Sequence, residues 1–138
     1  MMEQILSALA RVSGMNSHQI VELHFLLSDE IKKQYKLRAN PENLRNAIIL
    51  CEKSLALSSL VMEAMKRKHR DECDEYAKVI GEISPNSKFY FPRHHAADQL
   101  CIILRKQGDL SRIKEIEEKM KREGWGSGRQ VELIDLFN

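Results

Sequence analysis

The stretch from Pro92 to Trp125, PRHHAADQLCIILRKQGDLSRIKEIEEKMKREGW, commits this chain to an antiparallel helix hairpin. Ala97, Leu100, Cys101 and Leu104 recur at i, i+3, i+4 and i+7, the spacing of one buried helical stripe. Lys-Gln-Gly-Asp then interrupts the period. Gly108 can take the left-handed conformation that ends a helix, and Lys106 sits near the negative end of its dipole. Leu110, Ile113, Ile116 and Met120 form a second stripe, closed by Gly124. Hairpins of this kind serve as recognition surfaces more often than as catalysts.

The rest of the chain reads as further helices. Ile5, Leu6, Leu9 and Val12 predict a short helix over about 3–13, stopped by Gly14. Asn16 or Ser17 can cap a longer one running to about Arg38, with Ile20, Leu23, Leu27, Ile31 and Tyr35 inward. Asn40-Pro41 starts the next, since proline at the first helical position loses no intrahelical hydrogen bond. Helical spacing then continues through Leu44, Ala47, Cys51 and Leu55 and on from Leu60 to Ile83, as one helix or as two broken near Ser58-Ser59. The expected organisation is a single domain over 1–138. It comprises N-terminal helices 1–40, central helices 41–83, a loop 84–92, the hairpin 93–125 and a C-terminal capping helix 129–138.

Size and composition narrow the function. A chain of 138 residues buries about 65–70% of its unfolded surface without metal or disulfide staples. Lys plus Arg exceeds Asp plus Glu by two, too small an excess to predict nucleic-acid or membrane binding from charge. Cys51, Cys73 and Cys101 are odd in number and form no CxxC pair, so they are expected as free thiols, with Cys51 and Cys101 in the core. The N-terminus has no basic leader, and no run approaches the ~20 apolar residues of a membrane span. The expected compartment is cytoplasmic.

The hairpin resembles the tetratricopeptide repeats of small bacterial proteins. His94, Gln99, Leu100, Ile102, Ile103, Leu104, Lys106, Gln107 and Gly108 carry the likeness, with Gly124-Trp125 closing the unit. Asn43 to Leu57, NLRNAIILCEKSLAL, resembles the second helix of another such repeat. Ile113 stands where the family places alanine, and Glu117 where it places an apolar residue. The resemblance implies an all-α fold of compact antiparallel hairpins with capping helices at both ends, and a role in binding peptides or protein surfaces. Such repeats normally need about three copies to bury their faces, so end segments or a second copy of the chain must cover this stack.

Candidate sites are few. His94 and His95 are adjacent, point apart on a helix and lack HExxH spacing, so capping and packing are expected of them rather than metal binding. His69 and Cys73 lie four apart, with no further soft ligands nearby. The run from Lys66 to Glu75 passes from basic to acidic and compensates itself through i,i+4 pairs. No nucleophile elbow, phosphate loop or dinucleotide fingerprint is present, so neither an enzyme nor a cofactor is expected. Of Phe89, Tyr90 and Phe91, two are expected to plug the gap between the middle helix and the hairpin. The alternative is an exposed anchor, which makes Phe89 and Tyr90 candidate contact residues.

The leading expectation is a non-catalytic protein–protein interaction module or adaptor that binds a peptide or partner helix. The resemblance puts the recognising positions at His95, Asp98, Ile102 and Arg105, on one side of the first hairpin helix. The alternative is a nucleic-acid-associated regulator, using basic clusters at 32–38 and 66–70 if they meet in space. Homo-oligomerisation is expected, because Phe89, Tyr90, Phe91 and the tail offer apolar surface. The tail itself, Leu133 to Phe137, resembles the terminal motifs by which bacterial proteins dock on the sliding clamp. Its plainer reading is a cap over Leu110, Ile113 and Ile116.

Overall fold

The helix starts are set by short-range hydrogen bonds. In the computed structural model, which describes residues 1–137, α1 (Met2–Leu9) is followed by a 3-10 turn at Val12–Gly14 and then by α2 (Ser17–Lys36). Asn16 settles the cap. Its side chain accepts from the Gln19 N–H, while the Gln19 side chain accepts from the Asn16 N–H. Asn40 caps α3 (Pro41–Ala56) by accepting from the Glu42 N–H, with Pro41 at the first turn.

Leu57 alone separates α3 from α4 (Ser58–Ile80), so the 41–83 segment is two helices with a sharp turn between them. The reason for the turn lies in α2, which is apolar on two sides. Leu23, Leu27 and Ile31 pack with Leu50 and Leu55 of α3, whereas Ile20 and Val21 pack with Val61 and Met62 of α4. Thus α4 crosses to the other flank of α2, leaving α3 free to receive the hairpin.

After β1 (Lys88–Tyr90) come the hairpin helices α5 (His95–Gln107) and α6 (Leu110–Glu123), then β2 (Gln130–Glu132) and α7 (Leu133–Leu136). Helix α5 packs on α3, and Arg112 of α6 reaches back to Glu52 of α3 at 2.7 Å. Gly108 and Gly124 end the two helices at φ +77° and +88°. A Cβ at Gly124 would also stand 2.9 Å from Cδ2 of Phe91, so this turn is shaped around that ring. The described chain is all-α apart from the short ribbon, and none of its described helices is long and apolar enough to cross a membrane.

Several expectations need correction. Residues 129–137 do not form the expected capping helix, and Asn138 lies outside the described residues. Residues 130–132 pair antiparallel with 88–90, with Phe89 opposite Val131, and only one helical turn follows. Strand alternation sends Phe89 and Phe91 into the core, 5.1 Å apart edge to face, and leaves Tyr90 55% exposed. Phe89 is therefore a core residue and not a surface contact. Val131, Leu133 and Leu136 cover the cluster of Val61, Met62, Phe89 and Phe91, not the Leu110–Ile113–Ile116 stripe. Leu110 itself is 68% exposed, and Cys101 is only half-buried.

The tail is thereby committed to its own fold, with Arg70 stacked 4.3 Å from the Phe137 ring. Deleting residues 129 to 138 is expected to lower stability by about 2–4 kcal/mol, from three half-buried apolar side chains and the lost strand. A thermal melt checks this, and an unchanged midpoint would return the tail to a docking role.

Candidate functional site

A groove of about 650 Å³ runs between α5 and α6 and is closed at one end by the Gly124–Ser127 turn. Its floor is apolar: Ala97, Cys101, Ile116, Met120 and the Trp125 ring. Charged side chains ring it, with Arg93, Asp98 and Arg105 on the α5 side and Glu117 and Lys121 on α6.

The closed end is tied down by backbone contacts between distant segments. The Gly126 N–H donates to the Pro92 carbonyl at 2.6 Å, and the Phe91 N–H to that of Arg129 at 3.1 Å. His94 then caps α5, its Nδ1 accepting from the Ala97 N–H at 3.1 Å. An accepting Nδ1 puts the neutral ring's proton on Nε2, which is buried without a hydrogen-bond partner among the described residues. Trp125 stands edge-on to His94 at 4.7 Å and lies 5.8 Å from His24, and its indole N–H donates to Glu123 at 3.0 Å. Burial, then the neighbouring His24, pushes His94 down to about 3; burial, then His95, pushes His24 down to about 4. Both rings are neutral packing elements behind the groove. Burial raises the Glu123 carboxyl, but hydrogen bonds from Lys119 and Trp125 outweigh it and leave the group below its ordinary range.

Three of the four positions expected on α5 come together here: Asp98, Ile102 and Arg105 all line the groove. His95 does not, and this is a correction. At 100° per residue, His95 falls just past Ile102 at the outer edge of the arc, about 60° from Asp98, about 80° from Arg105 and about 120° from Cys101 on the floor. His95 is half-buried on the α2 side, and burial together with the nearby Lys32 lowers its pKa. Tyr90 is exposed but does not line the groove.

Electrostatically the rim is not all committed. Asp98 is held by Arg93 through two hydrogen bonds of 3.1 and 3.2 Å, which raise the Arg93 pKa. Neither Arg105 nor Lys121 has an ion-pair partner among the described residues. Burial, then Glu117, raises the Cys101 thiol, so this sulfur stays protonated and acts as part of the apolar floor. Burial, then Glu52, pushes Cys51 up to about 12, and all three cysteines are free. Among the described residues no three His, Cys, Asp or Glu side chains are grouped to hold a metal ion.

Sequence reasoning placed one wall of the groove and missed the other. The signal was Glu117, a charged residue set within the Ile113–Ile116–Met120 stripe, which here faces the groove.

The two basic clusters do not meet. His18 lies 3.8 Å from Asp71, which puts 66–70 beside the start of α2. Lys32 is fourteen residues further along that helix, roughly 20 Å at 1.5 Å per residue. Lys66 and Lys68 pair with Glu63 and Glu72, and Arg70 stacks on Phe137.

Compared with known proteins, the chain matches no family model, no curated protein and no solved structure.

Proposed function

We propose that this protein is a non-catalytic interaction module of tetratricopeptide-like design whose α5–α6 groove holds a peptide or partner helix. The observation that carries this reading is the groove itself: an apolar floor, a charged rim, and an open face where a further hairpin would stack in a longer repeat array. After Trp125 the chain turns away to pair with β1 instead of supplying that hairpin. An amphipathic helix would place apolar side chains at i, i+3 and i+4 onto Ala97, Cys101, Ile102 and Met120. Arg105 and Lys121 would then receive carboxylates along its edge.

An NMR titration of the full chain with a panel of amphipathic helical peptides tests this. Amide shifts are expected at Asp98, Ile102, Arg105 and Gly126. Arg105→Glu is expected to weaken acidic peptides about tenfold or more, as loss of a charge-assisted contact does. Shifts confined to other surfaces would overturn the reading.

A further inference from the structure

Beyond Cys73, whose thiol donates to the Asn86 carbonyl at 3.4 Å, α4 leaves the body of the protein. From Asp71 to Ile83 every side chain is exposed except that of Cys73, which is half-shielded. Yet the apolar stripe does not stop. Val61, Met62 and Met65 face the core, and at 100° per residue Tyr76, Val79 and Ile80 continue the same face. Val79, Ile80 and Ile83 are 70%, 54% and 83% exposed. Tyr76, Val79 and Ile80 at the end of the helix, with Ile83 just beyond it, expose apolar surface close together, which marks an interaction site rather than scattered surface residues.

The charges around this patch select what covers it. From Asp71 to Ile83 the helix end carries five acids, Asp71, Glu72, Asp74, Glu75 and Glu82, against Lys78. Glu72 is paired with Lys68 and Asp71 lies near His18, which leaves an acidic balance at the tip. Two such helix ends laid on one another would bring like charges together, so a symmetric pairing of tips is disfavoured. The complement must be concave, apolar and rimmed by cations. The α5–α6 groove is concave and apolar, and with Asp98 paired to Arg93 its rim has a net positive balance, Arg105 and Lys121 against Glu117.

We propose that the exposed end of α4 in one copy of the protein seats in the α5–α6 groove of a second copy. The proposal rests on the reading of the groove as a helix-binding site, and it names the helix. Tyr76, Val79 and Ile80 have the i, i+3, i+4 anchor spacing of a helix laid in a groove, and Ile83 follows just past the helix end at Gly81. Glu75, on the flank of this face, meets the cations Arg105 and Lys121 of the rim. The contact is head to tail, so two copies close into a dimer by exchanging both contacts, or further copies extend the chain.

Two surface variants test it by complementation. Val79→Gln/Ile80→Gln removes the helix end's anchors and keeps the groove; Ile102→Gln/Arg105→Glu does the reverse. All four residues are exposed, and circular dichroism is expected to be unchanged for both. In sedimentation velocity the wild-type protein is expected to associate as concentration rises, less so at high salt. Each variant alone is expected to be weakened about tenfold or more, and an equimolar mixture to form a heterodimer through the one intact contact. A strictly monomeric wild type, or a mixture that stays monomeric while the wild type associates, would overturn the proposal. The groove reading is decided separately: the Val79→Gln/Ile80→Gln variant retains the groove and can be titrated with the peptide panel. Peptide shifts in that variant, together with a wild type that stays monomeric, would sink this inference and leave the groove reading standing.

Discussion

Replacing Trp125 with alanine is expected to lower the stability by about 3–5 kcal/mol, in the range for truncating a buried aromatic side chain. Trp125 is 6% exposed and is where the separate parts of the fold converge. Its ring meets His94 at the head of α5 and His24 of α2, and it packs in the cluster that holds Phe91 and Val61. Truncation leaves a cavity at this junction and removes the N–H donor to Glu123, whose carboxylate is largely buried. Trp125→Phe keeps most of the packing and is expected to lose about half as much. Denaturant unfolding of the two variants measures both effects. A loss below about 1 kcal/mol for the alanine variant would mean that the surrounding helices close over the gap unaided.

The second large effect is on pH. His24 and His94 are held at about 4 and about 3 in the folded protein, by burial first and then by a neighbouring histidine. Both lie below the ordinary histidine value, so between those values and about 6.5 the unfolded chain binds more protons than the folded one. Stability therefore rises with pH through this window, is complete above it, and is lost as the pH falls. At pH 5 each ring contributes a loss of about 2 kcal/mol, at 1.36 kcal/mol per pH unit, or about 4 kcal/mol for the pair. Protonating His94 would also cost α5 its cap, because Nδ1 would no longer accept from Ala97. Glu123 contributes in the same direction but at lower pH, because its carboxyl is depressed and titrates only in the acidic range. Comparing unfolding midpoints at pH 7 and pH 5 thus isolates the histidines. The wild type is expected to weaken strongly between them, and the His24→Gln/His94→Asn variant to keep only the smaller slope that His95 contributes. A wild type equally stable at both would show that water reaches these rings.

The helices themselves were legible in the sequence because their ends depend on residues three or four apart. The Asn16–Gln19 capping box, Asn40-Pro41, the cap at His94 and the left-handed Gly108 and Gly124 are all decided within one turn of chain. The stripe of Ala97, Leu100 and Leu104 likewise reports its own burial, since periodicity records which face is inward. Periodicity does not record which neighbour covers that face. Stripe spacing alone did not place Leu110 outside the core, Cys101 at the groove or His95 beside α2, because these depend on where other helices end. The pairing of Lys88–Tyr90 with Gln130–Glu132 joins partners forty or more residues apart, and three-residue strands carry too little alternation to announce themselves. The groove is the same kind of feature. Arg105 and Lys121 face a common space only because α5 and α6 pack at one particular rotation, with Trp125 closing the end. Local hydrogen bonds and hydrophobic period thus determined the elements of this protein. Long-range packing alone decided that α4 would cross α2, that its end would stand free, and that the hairpin would keep an open face.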